Sequence, residues 1–430
     1  MQALFYHVNP LGWGTCKWLR YLWPGCLLSG LNGLRLRETD RPELPGDDWV
    51  LVRTRLAGIC GTDLALIAQK QPPDSILQAF CSMPMILGHE NVVEVEEVGD
   101  AVAPDWLGSR VCVEPTLCCS VRGIDPPCRH CRAGRFSACE NFSGARPGKY
   151  NLPAGTGIGY NSRTGGAFGE YFVAHQSQLV AVPDEISDET AVLTDPMACS
   201  LHAVLRADLA EVRSVLVYGT GVLGLGIIAS LRATGYRGRI DALVRREYLG
   251  QLACEFGADE FFRLGRNRRE RFTEVARRTG ATVQRARFGN YMLSGGYDAV
   301  FDCVGSTASI NESLKCSGSR GQVVFVATGH GGRVDLTPVW FTELNVLGAY
   351  GRQVEEFEGR RIGTYQLVHE LMADGRLDVA KMLTHKFVLG EYRKAFATGA
   401  AKARYNAVKI VFDFRSGETT PSAPAAVAVG

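Results

Sequence analysis

The alternation of apolar and polar residues changes character about halfway along the chain. Up to residue 213, apolar positions occur in short alternating runs such as residues 92–95 and 110–113, which predict half-buried antiparallel strands. Residues 50–60 predict another strand that ends in a glycine-containing turn, and residues 116–165 are loop-like, with many Gly, Pro and Cys. We therefore expect a β-rich, partly barrel-like first domain.

Short buried strands alternate with helical stretches from residue 214 onward. An apolar strand at residues 215–218 precedes a glycine-rich turn and a helical pattern, and the strand–helix order continues to residues 322–326. This alternation predicts an α/β fold with a doubly wound parallel sheet. The predicted boundaries are 1–213 for the first domain, 214–345 for the second, 346–414 for a return segment that completes the first, and 415–430 for a disordered tail.

Length and charge limit the classes of function. A chain of 430 residues is too long for one ordinary core, which agrees with two domains. The formal net charge of +2 argues against nucleic acid or an anionic membrane as partner, and we interpret the arginine-rich residues 263–290 as a solvated helix and loop. The longest uncharged apolar run, residues 215–231, is interrupted by glycines, and no secretory signal is recognisable. We expect a cytoplasmic protein.

A glycine-rich turn follows the first strand of the second domain. Its residues fit the pattern G-x-G-x-x-G between a predicted strand and a predicted helix: Gly219, Thr220, Gly221, Val222, Leu223 and Gly224. The first glycine permits a tight turn, the second lets the backbone approach a pyrophosphate, and the third lets helix and strand pack closely. The helix N-terminus favours the phosphate charge. The turn predicts a dinucleotide site, the alternative being a plain glycine turn.

The end of the next strand indicates which dinucleotide binds. An NAD site usually has Asp or Glu about 20 residues beyond the glycine turn, for the ribose hydroxyls. This chain has Arg245 and Arg246 there, and two guanidinium groups suit a 2′-phosphate by charge and by forked hydrogen bonds. We predict NADP over NAD; the alternative is that one or both arginines face water.

Two groups of residues have the composition of metal sites. Cys60, in Gly58-Ile59-Cys60-Gly61-Thr62-Asp63, and the adjacent pair His89 and Glu90 combine thiolate, imidazole and carboxylate, a set that suits catalytic Zn²⁺ with one open position. Four thiolates that could close a structural zinc site follow in the loop-like stretch, namely Cys119, with Cys118 as the alternative, Cys128, Cys131 and Cys139. The remaining cysteines, including Cys16 and Cys26, are interpreted as ordinary core or surface residues.

These motifs resemble, in their order along the chain, those of the zinc-containing medium-chain alcohol dehydrogenases, including the threonine, sorbitol and archaeal glucose dehydrogenase branches. The similarity covers roughly residues 40–415. Besides the motifs above it rests on residues 165–171, on Asp195-Pro196 and on residues 201–204. The resemblance implies a GroES-like catalytic domain joined to a Rossmann-type domain, and a homodimer or homotetramer.

The resemblance also implies roles for individual residues. Cys60 and His89 would be zinc ligands, and Glu90 would lie beside or on the zinc. Asp195 occupies the place of the family's third protein ligand and would bind zinc directly or through water. Thr62 matches the hydroxyl that passes the substrate proton toward the cofactor ribose.

The chain departs from the family pattern at Ala65, where many relatives have a histidine that continues the proton relay. Residues 1–34 form a long aromatic-rich segment for which we expect a packing role.

Glu114, together with Glu90 and Asp195, would make an acidic pocket that favours a polyol, sugar or amino alcohol; the alternative for Glu114 is a surface carboxylate.

The sequence therefore predicts a zinc-dependent oxidoreductase that transfers a hydride between NADP(H) and an alcohol, polyol, sugar or the corresponding carbonyl compound. Two alternatives remain open. One is a zinc-independent quinone or enone reductase of the same superfamily, and the other is a non-catalytic NADP-binding protein.

Overall fold

A computed structural model describes residues 1–71, 74–265, 267–327, 329 and 332–415. Residues 416–430, nearly all of the predicted tail, lie outside the described residues. The first part of the chain is rich in strands, as expected. Its strands are β1 (Gln2–Tyr6), β2 (Leu34–Glu38), β3 (Trp49–Gly58), β4 (Met85–Ile86), β5 (Glu90–Val98), β6 (Arg110–Val113), β7 (Tyr171–His175) and β8 (Leu179–Ala181). Its helices are α1 (Pro10–Leu19), α2 (Gly61–Ile67), α3 (Cys119–Arg122), α4 (Arg129–Arg132), α5 (Asp188–Ala191) and α6 (Thr194–Arg206).

The middle of the chain alternates strands and helices. The strands are β9 (Ser214–Tyr218), β10 (Arg239–Val244), β11 (Glu260–Arg263), β12 (Thr282–Arg285), β13 (Tyr291–Ser294), β14 (Tyr297–Asp302), β15 (Ser317–Phe325) and β16 (Asn345–Gly348). The helices are α7 (Val222–Ala233), α8 (Glu247–Glu255), α9 (Arg268–Thr279), α10 (Thr307–Cys316) and α11 (Thr337–Phe341).

The last part of the chain returns to mixed structure. Its strands are β17 (Val354–Phe357), β18 (Arg360–Gly363), β19 (Leu383–Phe387) and β20 (Lys409–Asp413), and its helices are α12 (Thr364–Ala373), α13 (Tyr392–Ala400) and α14 (Lys402–Tyr405). None of the helices in the described ranges is long and apolar enough to cross a membrane.

The long strand β3 organises the first domain. It pairs with β5, β7 and β20, all antiparallel, in a sheet of order β19-β20-β3-β5-β6-β8. Most of its residues are buried, because it is covered on both faces. Strand β20 of the return segment lies directly beside β3, as expected if the return segment belongs to the first domain.

The second domain is a parallel sheet of order β11-β10-β9-β14-β15-β16. Val215 and Val217 of β9 belong to the apolar core on one face of this sheet, and Leu216 and Tyr218 to the core on the other. This alternation is expected when helices cover both faces. The doubly wound sheet is confirmed, but β16 extends it to Gly348, so the predicted boundary at residue 345 cuts through a strand.

The inserted segment between β1 and β2 contains α1 and two short 3₁₀ turns, Pro24–Leu28 and Gly30–Asn32. The packing that we expected for this segment holds for Cys16 and Cys26, which are fully buried. Large apolar side chains between these cysteines are instead exposed, by 81% at Trp18 and 88% at Leu22.

Candidate active site

Strand pairing brings the predicted catalytic ligands together. Gly58, near the end of β3, lies opposite Glu90 at the start of β5, so Cys60 and His89 meet at the same end of the antiparallel pair. One ligand atom each from Cys60, His89 and Glu90 lie within 4.8 Å of one another. The backbone N–H of Cys60 donates to a carboxylate oxygen of Asp63 at 2.9 Å, which holds the turn from β3 into α2.

The donor set of this cluster fits a zinc ion. His89 is 6% exposed, and its Nδ1 has no hydrogen-bond partner within the part of the chain that the structure describes. An unpaired buried imidazole nitrogen is costly unless something binds it. Thiolate, imidazole and carboxylate groups at this spacing are a suitable set for Zn²⁺ with an open coordination position.

Glu90 also belongs to a buried ion pair. Its Oε2 accepts a hydrogen bond from Nζ of Lys409, the first residue of β20. Lys409 donates in addition to the carbonyl oxygen of Ile59 at 3.2 Å. Both side chains are almost fully buried, so the lysine compensates the charge of the carboxylate next to the metal ligands.

Asp195 lies at the start of α6, outside the group of three ligand atoms. Its Oδ1 accepts hydrogen bonds from Nη2 of Arg352 and from the hydroxyl of Tyr365, both at 2.6 Å. Burial raises the pKa of Asp195, but Arg352, together with His89, the Tyr365 hydroxyl and Lys409, holds the pKa below its ordinary value. Direct zinc binding by Asp195 stays a prediction.

Glu114 faces the same arginine. Its carboxylate lies 3.6 Å from Nε of Arg352 and accepts hydrogen bonds from the backbone and hydroxyl of Thr116. Burial raises the pKa of Glu114, and Arg352 opposes this effect. The carboxylate is therefore mostly buried beside Arg352 rather than on an open strand surface.

Thr62 has a partner that the sequence did not indicate. The hydroxyl of Tyr160 donates to Oγ1 of Thr62 at 2.9 Å, and its ring lies 5.4 Å from the ring of His89. Tyr160 comes from the loop-like stretch, where no spacing connects it with Thr62. Arg352, Tyr365 and Lys409 were missed for the same reason, because each reaches the site from a distant segment.

The cysteine lobe forms a second cluster, with sulfur atoms of Cys119, Cys128, Cys131 and Cys139 within 4.8 Å of one another. Cys118 lies outside this group, and its sulfur contacts Oγ of Ser120 at 3.2 Å. Four N–H groups point at the cluster. The Cys128 backbone and the Asn141 side chain donate to Cys119, the Asn141 backbone donates to Cys139, and the Cys131 backbone donates to Cys128. N–H donors stabilise thiolates, so the lobe fits a closed zinc site.

A buried arginine holds this lobe. Arg122, at the end of α3, is 2% exposed. Its guanidinium donates to five carbonyl oxygens, those of Leu117, Phe142, Leu152, Pro153 and Gly155. The single side chain therefore ties together the loops on both sides of the ligands.

The glycine turn connects β9 to α7 at the carboxyl edge of the parallel sheet, between strands β10 and β14. Gly219 has φ +92°, and a Cβ on Gly224 would lie 1.9 Å from the carbonyl oxygen of Gly219. A Cβ on Gly221 would meet open space among the described residues, and the buried hydroxyl of Thr220 has no partner there. These features fit a pyrophosphate above the turn. Arg245 and Arg246 follow β10 and are exposed.

Known proteins match both halves of this arrangement. The family model of the alcohol dehydrogenase GroES-like domain matches residues 46–184, and that of the zinc-binding dehydrogenases matches residues 222–362. The L-threonine 3-dehydrogenase of Paraburkholderia phymatum is 30% identical, over 86% of this chain and 94% of its own length. The chain belongs to the zinc-containing medium-chain alcohol dehydrogenase family.

Further relatives agree with this assignment. The sorbitol dehydrogenase of Arabidopsis thaliana is 28% identical over 90% of this chain and 94% of its own length. Among solved structures, a zinc-binding dehydrogenase from Sinorhizobium meliloti bound to NADP has a TM-score of 0.67 and 25% identity, covering 90% of this chain and 97% of the other. The 2R,3R-butanediol dehydrogenase of Bacillus subtilis, 24% identical with a TM-score of 0.67 over 88% of this chain and 96% of the other, shares the fold.

As a medium-chain dehydrogenase, this chain combines the family's ligand motifs with partners of its own. The alternative of a zinc-independent reductase loses support, because Cys60, His89 and Glu90 converge on one point. The predicted GroES-like and Rossmann-type domains are confirmed.

Proposed function

We propose that the chain is a zinc-dependent dehydrogenase that transfers a hydride between NADP(H) and the carbon of an alcohol, polyol or sugar, or of the corresponding carbonyl compound. The observation that carries this proposal is the convergence of Cys60, His89 and Glu90, with the buried Nδ1 of His89 unpaired among the described residues. Thr62 lies near this cluster, because Tyr160, which donates a hydrogen bond to Thr62, packs against the ring of His89.

The residues around the cluster have distinct tasks. Cys60 and His89 would hold the zinc, which would supply Lewis acidity, and the glycine turn would hold the dinucleotide, which would supply the hydride chemistry. Oγ1 of Thr62 has two lone pairs, so it can accept one hydrogen bond from Tyr160 and a second from the substrate hydroxyl. The proton of Thr62 is then free to be donated onward. Tyr160 thus orients the hydroxyl that begins the proton path in a chain that has Ala65 in place of the expected histidine.

Polar groups around the cluster favour a substrate with several hydroxyl or amino groups. Arg352 is fixed between Asp195 and Glu114, so charged and hydrogen-bonding atoms lie beside the reacting position. Relatives named for threonine, sorbitol and L-idonate also act on polar alcohols. We infer that this chain takes a polyol, sugar or amino alcohol in preference to a plain aliphatic alcohol.

NADP is the proposed dinucleotide because Arg245 and Arg246 are exposed directly after β10, where a 2′-phosphate would lie. An NADP-bound solved structure in the same family supports the proposal. The double variant Arg245→Ala and Arg246→Ala should lower the preference for NADP over NAD in kcat/KM. An unchanged preference would mean that the arginines only face water.

We further propose that the chain forms a homodimer or homotetramer. β16 is the edge strand of the parallel sheet, and exposed apolar side chains lie on it and on the preceding α11 segment, namely Leu336, Trp340, Phe341 and Val346. Exposed edges and apolar patches of this kind are typical of subunit contacts. All 14 cysteines are free thiols in the structure, which fits a reducing compartment and supports the cytoplasm as the location.

The decisive experiment is an NADP-coupled screen of polyols, aldoses and amino alcohols, with zinc-loaded protein and with protein stripped by a chelator. We expect turnover that requires zinc. Full activity after zinc removal would contradict the zinc mechanism. NADPH binding without turnover on the whole panel would favour the non-catalytic alternative.

A further inference from the structure

The inserted segment between β1 and β2 contains two cysteines that no catalytic role uses. Cys16 lies in α1 and Cys26 in the following 3₁₀ turn, and both side chains are fully buried. Their sulfur atoms are 2.9 Å apart. Neither residue belongs to the two metal-ligand clusters among the described residues.

The position of the two sulfurs suits a covalent link. A disulfide requires a sulfur–sulfur distance of about 2.05 Å, so the atoms would have to approach by less than about 1 Å. Each thiol faces the other in a closed interior, and the Cys16 thiol donates a hydrogen bond to the sulfur of Cys26. Cys26 makes a second sulfur contact, to the carbonyl oxygen of Cys16 at 3.6 Å.

The nine residues between the cysteines carry the most exposed aromatic side chains of the segment. Trp18, Tyr21 and Trp23 are exposed by 81%, 75% and 52%. Within the described chain, the hydrogen bonds of residues 17–25 stay inside the inserted segment. Among the described residues, the loop therefore makes its hydrogen bonds within the inserted segment, and none of those shown reaches the body of the first domain.

Contacts with the body of the first domain lie outside this loop. Asn32 donates to the carbonyl oxygen of Ile67 at 2.8 Å, and Gln69 donates to that of Trp13 at 3.0 Å. These bonds fix the start of the segment and its end. A link between Cys16 and Cys26 would close the loop on this fixed base, which restrains it further.

We propose that Cys16 and Cys26 are a redox modification site, at which a peroxide converts the two thiols into an intrachain disulfide that closes the loop of residues 17–25. The sulfur of Cys26 attacks one peroxide oxygen, the O–O bond breaks, and a sulfenic acid and water form. The sulfur of Cys16 then displaces the sulfenic hydroxyl, which leaves as a second water with the thiol proton. Two thiols are oxidised by two electrons, and one hydrogen peroxide is reduced to two waters.

The hydrogen bond between the thiols suggests the order of attack that we expect. The Cys16 thiol donates to the sulfur of Cys26, so Cys16 is the thiol that keeps its proton. Burial and this hydrogen bond raise the pKa of Cys16 to about 12, so Cys16 remains protonated at neutral pH. We expect a slow reaction that protects the pair from brief exposure to oxidant.

Peptide mapping tests the link without reference to catalysis. The zinc-loaded full chain is treated with hydrogen peroxide, alkylated, unfolded, alkylated again and digested with trypsin without reductant. Cleavage after Lys17, Arg20 and Arg35 places Cys16 in residues 1–17 and Cys26 in residues 21–35, each with no other cysteine. The expected product is this peptide pair joined, two hydrogen atoms lighter than their sum, and separated by dithiothreitol.

Variants separate the two steps. Cys16→Ser should stop the reaction at a sulfenic acid on Cys26, which dimedone labels, and Cys26→Ser should prevent both label and link. Cys81→Ser is a matched control from outside the segment and should leave the link intact. Circular dichroism checks that each variant is folded, and the wild-type peptide map decides the proposal even if a variant is not.

The exposed Cys254 reports whether the oxidant has acted. If Cys254 is oxidised while Cys16 and Cys26 both remain free for alkylation after unfolding, the proposal is wrong. A link from either cysteine to Cys81 or to a second chain would overturn it as well.

Discussion

The two metal-ligand clusters are built in opposite ways. The cysteine lobe takes its four ligands from residues 119–139, and one buried arginine ties the surrounding loops. The proposed catalytic cluster takes its candidate ligands from residues 60 and 89–90, and its charged partners Asp195, Arg352 and Lys409 come from three other segments. A contiguous site depends on local loops, whereas a dispersed site depends on the packing of the whole chain.

The largest expected effect separates the two clusters by function. Cys60→Ser should lower kcat/KM at least about a thousandfold, because Lewis-acid stabilisation is worth several kcal/mol. The variant should lose the catalytic zinc and keep the zinc of the lobe, as measured by elemental analysis. Cys254→Ser, at an exposed cysteine, is the control and should behave like the wild type.

The second prediction concerns stability in the lobe. Arg122→Met should lower the free energy of unfolding by about 3–5 kcal/mol in urea denaturation, because five buried carbonyl oxygens lose a charged donor. Arg132→Met, at an exposed arginine of α4, is the matched control and should cost much less. Equal losses in both variants would show that the lobe is not held by Arg122.

The third prediction concerns pH, through a histidine beside the dispersed site. His369 is 2% exposed, and its ring nitrogens bond to the hydroxyl of Thr194, next to Asp195, and to the carbonyl oxygen of Ala181. Burial lowers the pKa of His369 to about 4, with the backbone of Ala181 opposing this shift and the charge of Arg110 adding to it. Below a pH of about 6.5, His369 of the unfolded chain binds a proton, whereas His369 of the folded chain stays neutral until the pH is much lower.

Stability should therefore fall as the pH drops from 6.5 toward 4, by about 3 kcal/mol from this group. His369→Gln should remove this part of the pH dependence, measured as the difference between unfolding free energies at pH 7.5 and pH 4.5. If wild type and variant lose the same stability over that interval, His369 is not the group that titrates.

The smallest expected effect is on kcat and tests whether Tyr160 belongs to the proton path. Tyr160→Phe should lower kcat about fivefold, which corresponds to about 1 kcal/mol for one hydrogen bond, and should leave NADPH affinity unchanged. A changed pH profile of kcat would distinguish the relay from simple packing. Tyr150→Phe removes a hydroxyl that bonds to Asp48 instead and is the matched control; a similar loss of kcat in it would contradict a specific role for Tyr160.

The sequence by itself determined those features that are specified by residues close together along the chain. The glycine turn, the four-cysteine lobe and the four central strands of the parallel sheet were predictable, because a turn or a buried strand depends on residues within a short span. The edge strands β11 and β16 were not predicted. The family resemblance extended this to Cys60, His89 and Glu90. Longer-range features were less predictable. Strand β16 begins at the expected domain boundary of residue 345, and the inserted segment buries Cys16 and Cys26 but leaves Trp18 and Leu22 exposed.

Only the tertiary structure decided which side chains meet around the ligands. Lys409 reaches Glu90 because β20 and β5 flank β3, and Arg352 reaches Asp195 of α6 from the return segment. Tyr160 reaches Thr62 from a loop without periodicity, and Cys16 faces Cys26 across a bend in the inserted segment. Apolar periodicity specifies which face of an element is buried, but not which distant residue lies opposite a given side chain. That choice is made by strand register and by the packing of separate segments.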